Sequence, residues 1–276
     1  MVNESNLKRD LRKRFREYLK DLSKIKYKKV LYDLFFEKLK PLNLDIYLFG
    51  GFPKDIYLKG QMAIPRDIDM VVVESDLSVL LETLKDYPIE KSRFGGYKVK
   101  YEGLDVDFWS IEKTWAFETN LVELTGINSL SETTFLNIEG IAVELFPKGN
   151  SRNIISDGFE GFFRENLLEL NLEQNPFPAL NIARSLYAAK KTDKNFGPRL
   201  LKFISDNLRD CNVEDVLVIY KRKYGLLDKE KAFYKRYFSY LKNNEFDRLN
   251  ISELHGAYVK QQMKLFSKDD GFAEAR

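Results

Sequence analysis

The chain of 276 residues is 44% hydrophobic, 14% aromatic and 32% charged, with a formal net charge of +3. This length is enough for one large domain or two smaller ones, and the composition is typical of a soluble globular protein with a good core. The single cysteine excludes an intramolecular disulfide, which is typical of a cytoplasmic protein. Lone Cys211 and lone His255 form no zinc-site or thiol-nucleophile pattern.

The first forty residues are predicted to form a basic helical segment, with thirteen Lys or Arg against six Asp or Glu. Apolar residues recur at helical spacing at Leu7, Leu11, Phe15, Leu19 and Leu22, and Arg12, Lys13 and Arg16 lie around the opposite side. This basic side is either a solvated helix face or a contact for phosphates or a partner. Residues 1–20 lack the apolar core of a signal peptide, and no apolar run is long enough to span a bilayer. We therefore expect a cytoplasmic protein with no membrane partner.

The next segment, residues 41–162, alternates apolar strand-like runs with short helical patterns and is predicted to be one domain. Residues 76–87 are predicted to form a helix that Ser75 or Asp76 caps and that ends before Pro88. The strand candidates are residues 47–49, 70–73, 97–101, 104–111 and 138–146.

Two features within residues 48–73 suit the binding of a metal-bound nucleoside triphosphate. Gly50 and Gly51 follow an apolar strand, and residues without a Cβ let the backbone turn sharply and approach phosphates closely. Asp67 and Asp69 open the next strand, where residues i and i+2 point to the same face. Two neighbouring carboxylates repel each other unless a cation lies between them. Hard divalent ions such as Mg²⁺ prefer these oxygen ligands.

A second acidic strand supplies further carboxylates. Within residues 103–111, Asp105 and Asp107 alternate with Leu104, Val106 and Phe108, so both acids share one face of the strand. A site with two metal ions usually takes a third carboxylate from a neighbouring strand. The chain therefore offers four acids on two strands, and both acids of the second strand are candidates for the third ligand.

Residues 163–276 are predicted to be all helical. The helical patterns, separated by short polar breaks, cover residues 179–191, 199–208, 213–224, 229–243 and 252–266, before a tail that we expect to be frayed. Aromatic and basic residues interleave at 220–224 and 233–238. This interleaving is typical of a helical core, and it also suits a grip on RNA through phosphates and base stacking.

Several motifs resemble, in their order along the chain, those of CCA-adding enzymes and bacterial poly(A) polymerases. The run GGFPKD from Gly50, followed by Gly60 and by DID from Asp67, resembles the family pattern GG-x-x-R-D, glycine, D-x-D. The stretches TTFLNIEGIAVEL (133–145) and ISDGFEG (155–161) resemble the family's R-R-D-F-T-I-N-A and I-D-P-F-G-G elements. The stretch QNPFPALNIARSLYAAK from Gln174 resembles the helix that begins E-D-P-x-R, so the resemblance spans residues 48–190.

The resemblance implies an α+β fold, with a polymerase β-like nucleotidyltransferase head of mixed sheet and helices, followed by an all-helical C-terminal region. It implies a metal-dependent transfer of a nucleoside monophosphate from an NTP to an acceptor hydroxyl, most plausibly an RNA 3′ end such as that of tRNA. Catalysis and metal binding would fall to Asp67, Asp69 and Asp107, with Asp105 as the alternative third ligand and two Mg²⁺ ions, or Mn²⁺, as cofactors. The residues implied in nucleotide binding are Gly50, Gly51, Lys54, Asp55, Arg66 and Asn137.

Departures from the family motifs change the expected substrate. The family's R-R-D falls on Ser131, Glu132 and Thr133, its E-D-x-x-R on Gln174, Asn175 and Pro178, and its first arginine on Lys54. Lys54 keeps the positive charge of arginine but lacks its planar group that donates two parallel hydrogen bonds. At Pro178, the arginine that the family uses to read the base is absent. Standard CCA addition is therefore not expected. Two further hypotheses are a nucleotidyltransferase acting on a protein or small molecule, and an inactive relative that binds RNA or protein.

Overall fold

The computed structural model describes residues 4–92, 94–225 and 228–243 of the chain. The chain forms two compact units, Met1–Glu165 and Asn166–Arg276. The division into residues 1–40, 41–162 and 163–276 stays a prediction, and the helix expected at 252–266, with the tail after it, lies outside the described residues. Within the described ranges, no helix is long and apolar enough to cross a membrane.

The first unit begins with a helix whose apolar face is buried. The α-helices described in this unit are α1 (Glu4–Lys20), α2 (Lys29–Tyr32), α3 (Gly51–Lys59), α4 (Glu74–Thr83), α5 (Trp115–Glu118) and α6 (Asp157–Glu165). The apolar residues of α1 are buried as their spacing predicts: Leu7, Leu11, Phe15 and Leu19. On the basic side, the Arg12 guanidinium donates a hydrogen bond to the carbonyl of Arg152 at 3.0 Å. Part of the basic side therefore contacts the protein itself.

A seven-stranded mixed sheet forms the centre of the first unit. Its strands are β1 (Ile46–Phe49), β2 (Asp67–Val72), β3 (Ile89–Lys91), β4 (Tyr97–Tyr101), β5 (Leu104–Ser110), β6 (Ala142–Glu144) and β7 (Ile154–Ile155). They lie in the order β3-β4-β5-β2-β1-β6-β7. All neighbours are antiparallel except β2 and β5, which run parallel. A parallel pair needs a long connection, and here α4 and the β3–β4 hairpin supply it.

The second unit is helical as far as it is described. Its helices are α7 (Pro178–Thr192), α8 (Pro198–Asp210), α9 (Val213–Tyr224) and α10 (Asp228–Asn243), which confirms the helices predicted between residues 179 and 243. The aromatic residues Tyr220, Tyr234, Tyr237 and Phe238 are buried, and the neighbouring Lys221, Arg222, Lys235 and Arg236 are exposed. The interleaved pattern therefore separates into a core side and a basic side, and these buried rings are not available for base stacking.

Candidate active site

The four predicted acids lie side by side on one face of β2 and β5. In the parallel register, Asp67 is opposite Asp105 and Asp69 is opposite Asp107. The alternate residues of these strands are buried on the other face: Ile68, Met70, Val106 and Phe108. Because successive side chains of a strand point to opposite faces, burying those apolar residues forces all four carboxylates onto the same surface.

A glycine turn lies next to this row of acids. The strand β1 ends at Phe49, which is opposite Asp69, and helix α3 begins two residues later at Gly51. Gly50 has a φ of 66° and a ψ of −112°, a conformation that is open to glycine and strained for other residues. Its amide donates a hydrogen bond to the carbonyl of Ile141 at 2.8 Å, which holds the turn against the rest of the unit. The first amides of α3 are thus held at the end of the sheet where the acids stand, and a helix N-terminus is a place where anions can bind.

Two cations contact the acid row. The Lys98 ammonium on β4 lies 3.3 Å from Oδ2 of Asp107, its register partner, and the Arg66 guanidinium lies 2.7 Å from Oδ2 of Asp67. Burial raises the pKa of Asp107, and Lys98 opposes this shift. Burial lowers the pKa of Lys98, but the charges of Asp107, Asp105 and Asp67 outweigh that effect and raise it overall. Three of the four carboxylates therefore contribute to the raised pKa of Lys98.

The acid row offers the donor type that a divalent cation prefers. Its donors are carboxylate oxygens that share one face, which suits a hard ion such as Mg²⁺. In the parts of the chain that the structure describes, no group of three or more His, Cys, Asp or Glu side chains is arranged to hold a metal ion. Asp67 and Asp107 instead contact Arg66 and Lys98. A metal ion at this row would compete with Arg66 and Lys98 for these two carboxylates.

The remaining predicted nucleotide-binding residues have partners within the protein. Lys54 is in the first turn of α3, with its ammonium 3.9 Å from Asp55 Oδ1. Asp55 also accepts a hydrogen bond from Lys59. Asn137 is buried, and its Oδ1 accepts a hydrogen bond from the Ile138 amide at 2.8 Å. The roles of Lys54, Asp55 and Asn137 in nucleotide binding stay predictions.

The segment at the position of the family's R-R-D motif begins with a buried residue, whereas Glu132 after it is exposed. Ser131 is fully buried, and its hydroxyl donates to the carbonyl of Asn128 at 3.1 Å. A Cβ on Gly140 would lie 2.7 Å from the Ser131 carbonyl oxygen, so the backbone is closely packed at this point. Thr133 donates its hydroxyl hydrogen bond to the carbonyl of Leu130 at 2.8 Å. Where the family has two cations, this segment thus has the buried, neutral Ser131 and the exposed, acidic Glu132.

A cavity beside the acids was not predicted from the sequence. It has a volume of about 320 Å³ and is lined by Asp107 together with a set of aromatic residues: Phe49, Phe94, Tyr97, Phe108, Trp109 and Trp115. The sequence feature that could have indicated this cavity is that the two tryptophans of the chain, Trp109 and Trp115, lie close together in the sequence. The spacing alone gave no reason to place them around one cavity, since β5 and α5 are different elements.

No protein-family model matches the chain, and no curated protein matches it by sequence. Solved structures match it by fold. A CCA-adding enzyme with CTP is 15% identical, with a TM-score of 0.57 over 94% of this chain and 62% of that one. The Thermotoga maritima CCA-adding enzyme complexed with tRNA is 17% identical, with a TM-score of 0.55 over 94% and 63% of the two chains. A tRNA nucleotidyltransferase complexed with a primer tRNA and an ATP analog is 18% identical, with a TM-score of 0.53 over 86% and 70%.

These likenesses show the fold. The chain has the α+β head fold of CCA-adding enzymes, followed by a helical region, as the sequence predicts. The chain spans 62% and 63% of the length of the two CCA-adding enzymes. The nucleotides and tRNA are ligands of those other proteins. The ligands of this chain are a matter of proposal.

Proposed function

We propose that this protein is a metal-dependent nucleotidyltransferase that transfers a nucleoside monophosphate from an NTP to the hydroxyl of an RNA 3′ end. The observation that carries the proposal is the row of four carboxylates, Asp67 with Asp105 and Asp69 with Asp107, on one face of β2 and β5. The glycine turn at the start of α3 is beside this row, in a fold shared with tRNA nucleotidyltransferases. An RNA acceptor such as tRNA is favoured by that fold.

The triphosphate would be held at the glycine turn. Gly50 and Gly51 let the phosphates approach the first amides of α3, and Lys54 adds a positive charge in the same turn. Asp67 and Asp69, with Asp107 or alternatively Asp105, would hold one or two divalent ions. When bound, such ions neutralise the triphosphate and lower the pKa of the acceptor hydroxyl.

The reaction is an in-line displacement at the α-phosphorus. The acceptor oxygen forms a bond to this phosphorus while the bond from it to the oxygen bridging to the β-phosphorus breaks, and pyrophosphate leaves. The hydroxyl proton passes to a carboxylate of the acid row, and we assign this role to Asp107. The chain's own contribution is to hold the two reactants in line over one charged surface.

Standard addition of C, C and A is not part of the proposal. The buried Ser131 stands at the first position of the family's R-R-D, and Pro178 begins α7 at the position of the arginine associated with base reading. Neither side chain can donate the hydrogen bonds of an arginine to a nucleotide. The protein would therefore choose its nucleotide by other groups.

The decisive experiment supplies each α-labelled NTP, Mg²⁺ or Mn²⁺, and total RNA to the full chain. The double variant Asp67→Asn/Asp69→Asn keeps the shape of the side chains and removes two charges. We expect label transfer to fall about 100-fold or more, because bound metal ions contribute several kcal/mol to such transition states. Asp45→Asn is the matched control, since Asp45 precedes β1 and pairs with Lys148 at 2.8 Å. Separate Asp105→Asn and Asp107→Asn variants identify the third carboxylate by the larger loss.

Each alternative has its own result. Transfer that survives in the double variant would overturn the assignment of Asp67 and Asp69. Label that moves to a protein or a small molecule, and not to RNA, would replace the RNA acceptor with that class. An absence of transfer with every NTP and both metals, with the variant and the parent alike, would assign the chain to the inactive relatives.

A further inference from the structure

The first helix, α1, carries a line of positive charge along its outer side. Arg9, Lys13, Arg16 and Lys20 follow one another at steps of four, three and four residues, which places them on one line along an α-helix. All four are exposed, and we call them the basic stripe. At a rise of about 1.5 Å per residue, the stripe is about 16 Å long. The Arg9 guanidinium donates a hydrogen bond to the neutral side chain of Asn6 at 3.0 Å.

The basic stripe is held in place from behind, because it lies opposite the buried apolar face of α1. The Tyr18 hydroxyl donates a hydrogen bond to the carbonyl of Ala63 at 2.8 Å. The Arg14 guanidinium donates one to the carbonyl of Tyr57 in α3 at 3.0 Å. Helix α3 is the helix that begins at the glycine turn, so the stripe and the acid row belong to the same unit.

The charge of the stripe is not neutralised by neighbouring acids. In the part of the chain that the structure describes, none of its four cations forms an ion pair with a carboxylate. The Asp10 and Glu17 positions lie about a quarter of a turn away around the helix. Burial lowers the pKa of Arg152, Glu144 opposes this shift, and the charge of Arg16 adds to it. A further cation therefore lies close to the stripe.

The length and the single sign of the stripe fit a chain of phosphates. Every phosphate of an RNA backbone carries a negative charge, and Lys and Arg bind this backbone by releasing its counterions. A nucleoside triphosphate is shorter than the stripe and would contact only part of it. An amphipathic helix binds a membrane with its apolar face, and the apolar face of α1 is buried in the protein. An RNA backbone is thus the partner that uses the whole stripe.

We propose that the basic stripe binds the phosphate backbone of the acceptor RNA, outside the nucleotide that reacts. The inference rests on the proposed function, which supplies RNA as the partner, and it names a surface that holds this RNA. Because α1 is already folded and fixed to α3, binding does not have to order the helix. Contacts to phosphates carry no sequence information, so the stripe binds RNA of any sequence with similar affinity.

The test titrates the full chain, without NTP or metal, against a fluorescein-labelled RNA stem-loop with a single-stranded 3′ end, followed by fluorescence anisotropy. The stripe variant carries Arg9→Gln, Lys13→Gln, Arg16→Gln and Lys20→Gln, and glutamine has nearly the helix propensity of Lys and Arg. We expect the variant to bind about 30-fold or more weakly at about 0.1 M salt. The slope of log affinity against log salt is expected to become shallower by about 3, because each lost phosphate contact removes about 0.7–0.9.

A control variant with the same change of net charge separates the stripe from a general charge effect. It carries glutamine at four exposed lysines of the first unit that lie outside α1: Lys40, Lys85, Lys91 and Lys148. Its affinity for RNA is expected to stay within about 3-fold of the parent, because separated surface charges are screened by salt. Both variants are expected to unfold at a urea concentration close to that of the parent, since every substituted residue is exposed.

Three results would overturn the proposal. Absence of RNA binding by the parent, or an equal loss in the stripe variant and the control variant, would show that the stripe is a solvated helix face. Displacement of the RNA by NTP alone would assign the stripe to the triphosphate. Binding to phosphatidylserine vesicles that only the stripe variant loses, with its RNA affinity unchanged, would assign the stripe to a membrane surface.

The Asp67→Asn/Asp69→Asn variant keeps a failure of the proposed reaction distinct from a failure of this surface. It is expected to lose label transfer and to bind the RNA stem-loop with the salt slope of the parent, because the stripe is intact. The stripe variant is expected to show the converse: a raised KM for RNA, with kcat and the KM for NTP close to those of the parent. A raised KM for NTP in the stripe variant would contradict the proposal.

Discussion

Lys98 places a positive charge beside the acids. Its ammonium is 3.3 Å from Asp107. The charges of Asp105 and Asp67 also raise the pKa of Lys98. A divalent ion at the acid row would compete with this ammonium for the same carboxylate. Lys98→Met removes the competitor and keeps the stem of the side chain. Because a half-exposed ion pair is worth up to about 1 kcal/mol, we expect Mn²⁺ to bind up to about 5-fold more tightly.

Calorimetric titration with Mn²⁺ measures this effect without any substrate. Lys91→Met on β3 is the control, since Lys91 is an exposed lysine of the same sheet and its register partner is Tyr97, not an acid. An unchanged Mn²⁺ affinity in Lys98→Met would show that the lysine does not compete for the site. Weaker binding would show instead that Lys98 holds Asp107 in the geometry that the metal needs.

The same residues show how far the sequence predicts the site. The shared face of Asp105 and Asp107 follows from strict alternation with apolar neighbours, and it is confirmed. The parallel register that brings them beside Asp67 and Asp69 joins segments almost forty positions apart, so no local pattern contains it. The contacts of Asp107 with Lys98 and of Asp67 with Arg66 depend on side-chain placement, which spacing does not describe.

At the scale of single elements, Glu169 holds the start of α8. Its Oε1 accepts hydrogen bonds from the Leu200 and Leu170 amides, each at 2.7 Å, and its Oε2 accepts one from the Arg199 amide at 3.2 Å. The carboxylate is nearly buried, and it satisfies amides that the helix leaves unpaired at its N-terminus. A Cβ on Gly197 would lie 2.3 Å from Oε2, so glycine is needed for this approach.

We expect Glu169→Ala to lower the free energy of unfolding by about 2–3 kcal/mol, because buried amides lose a charged acceptor. Glu169→Gln keeps one acceptor oxygen and is expected to cost about half as much. Urea unfolding followed by circular dichroism measures both losses. Glu173→Ala is the control, since Glu173 is exposed nearby in the sequence. Similar losses for Glu169→Ala and Glu173→Ala would contradict the capping role.

Other elements show why propensity and pattern do not predict every boundary. The strand at 97–101 is confirmed, whereas the strand predicted at 138–146 is shorter and covers Ala142–Glu144. A turn at Asn137–Glu139, followed by Gly140, takes up the first part of the predicted range. Helix α6 was not predicted, because Gly158 and Gly161 lower its intrinsic propensity. Burial of the Phe159 and Phe162 side chains outweighs the cost of the two glycines. This burial depends on tertiary packing, which local sequence propensity does not describe.

At the scale of the whole molecule, the division into two compact units predicts that the first unit folds alone. It contains the complete seven-stranded sheet and the acid row, and it ends at Glu165 with α6. A fragment of residues 1–165 is therefore expected to unfold cooperatively in urea. It is also expected to bind Mn²⁺ with the affinity of the full chain, because all four acids lie within it.

The matched fragment, residues 1–152, tests where this unit ends. It lacks β7 and α6, and with them the buried side chains of Ile154, Ile155, Phe159 and Phe162. Full burial of one such side chain contributes about 1.5–3 kcal/mol, and a domain is stable by only about 5–15 kcal/mol. The loss is thus as large as the whole stability, so the shorter fragment is expected to show no cooperative transition. Cooperative unfolding of residues 1–152 would place the end of the folding unit before β7, and the sheet would then be complete without its last strand.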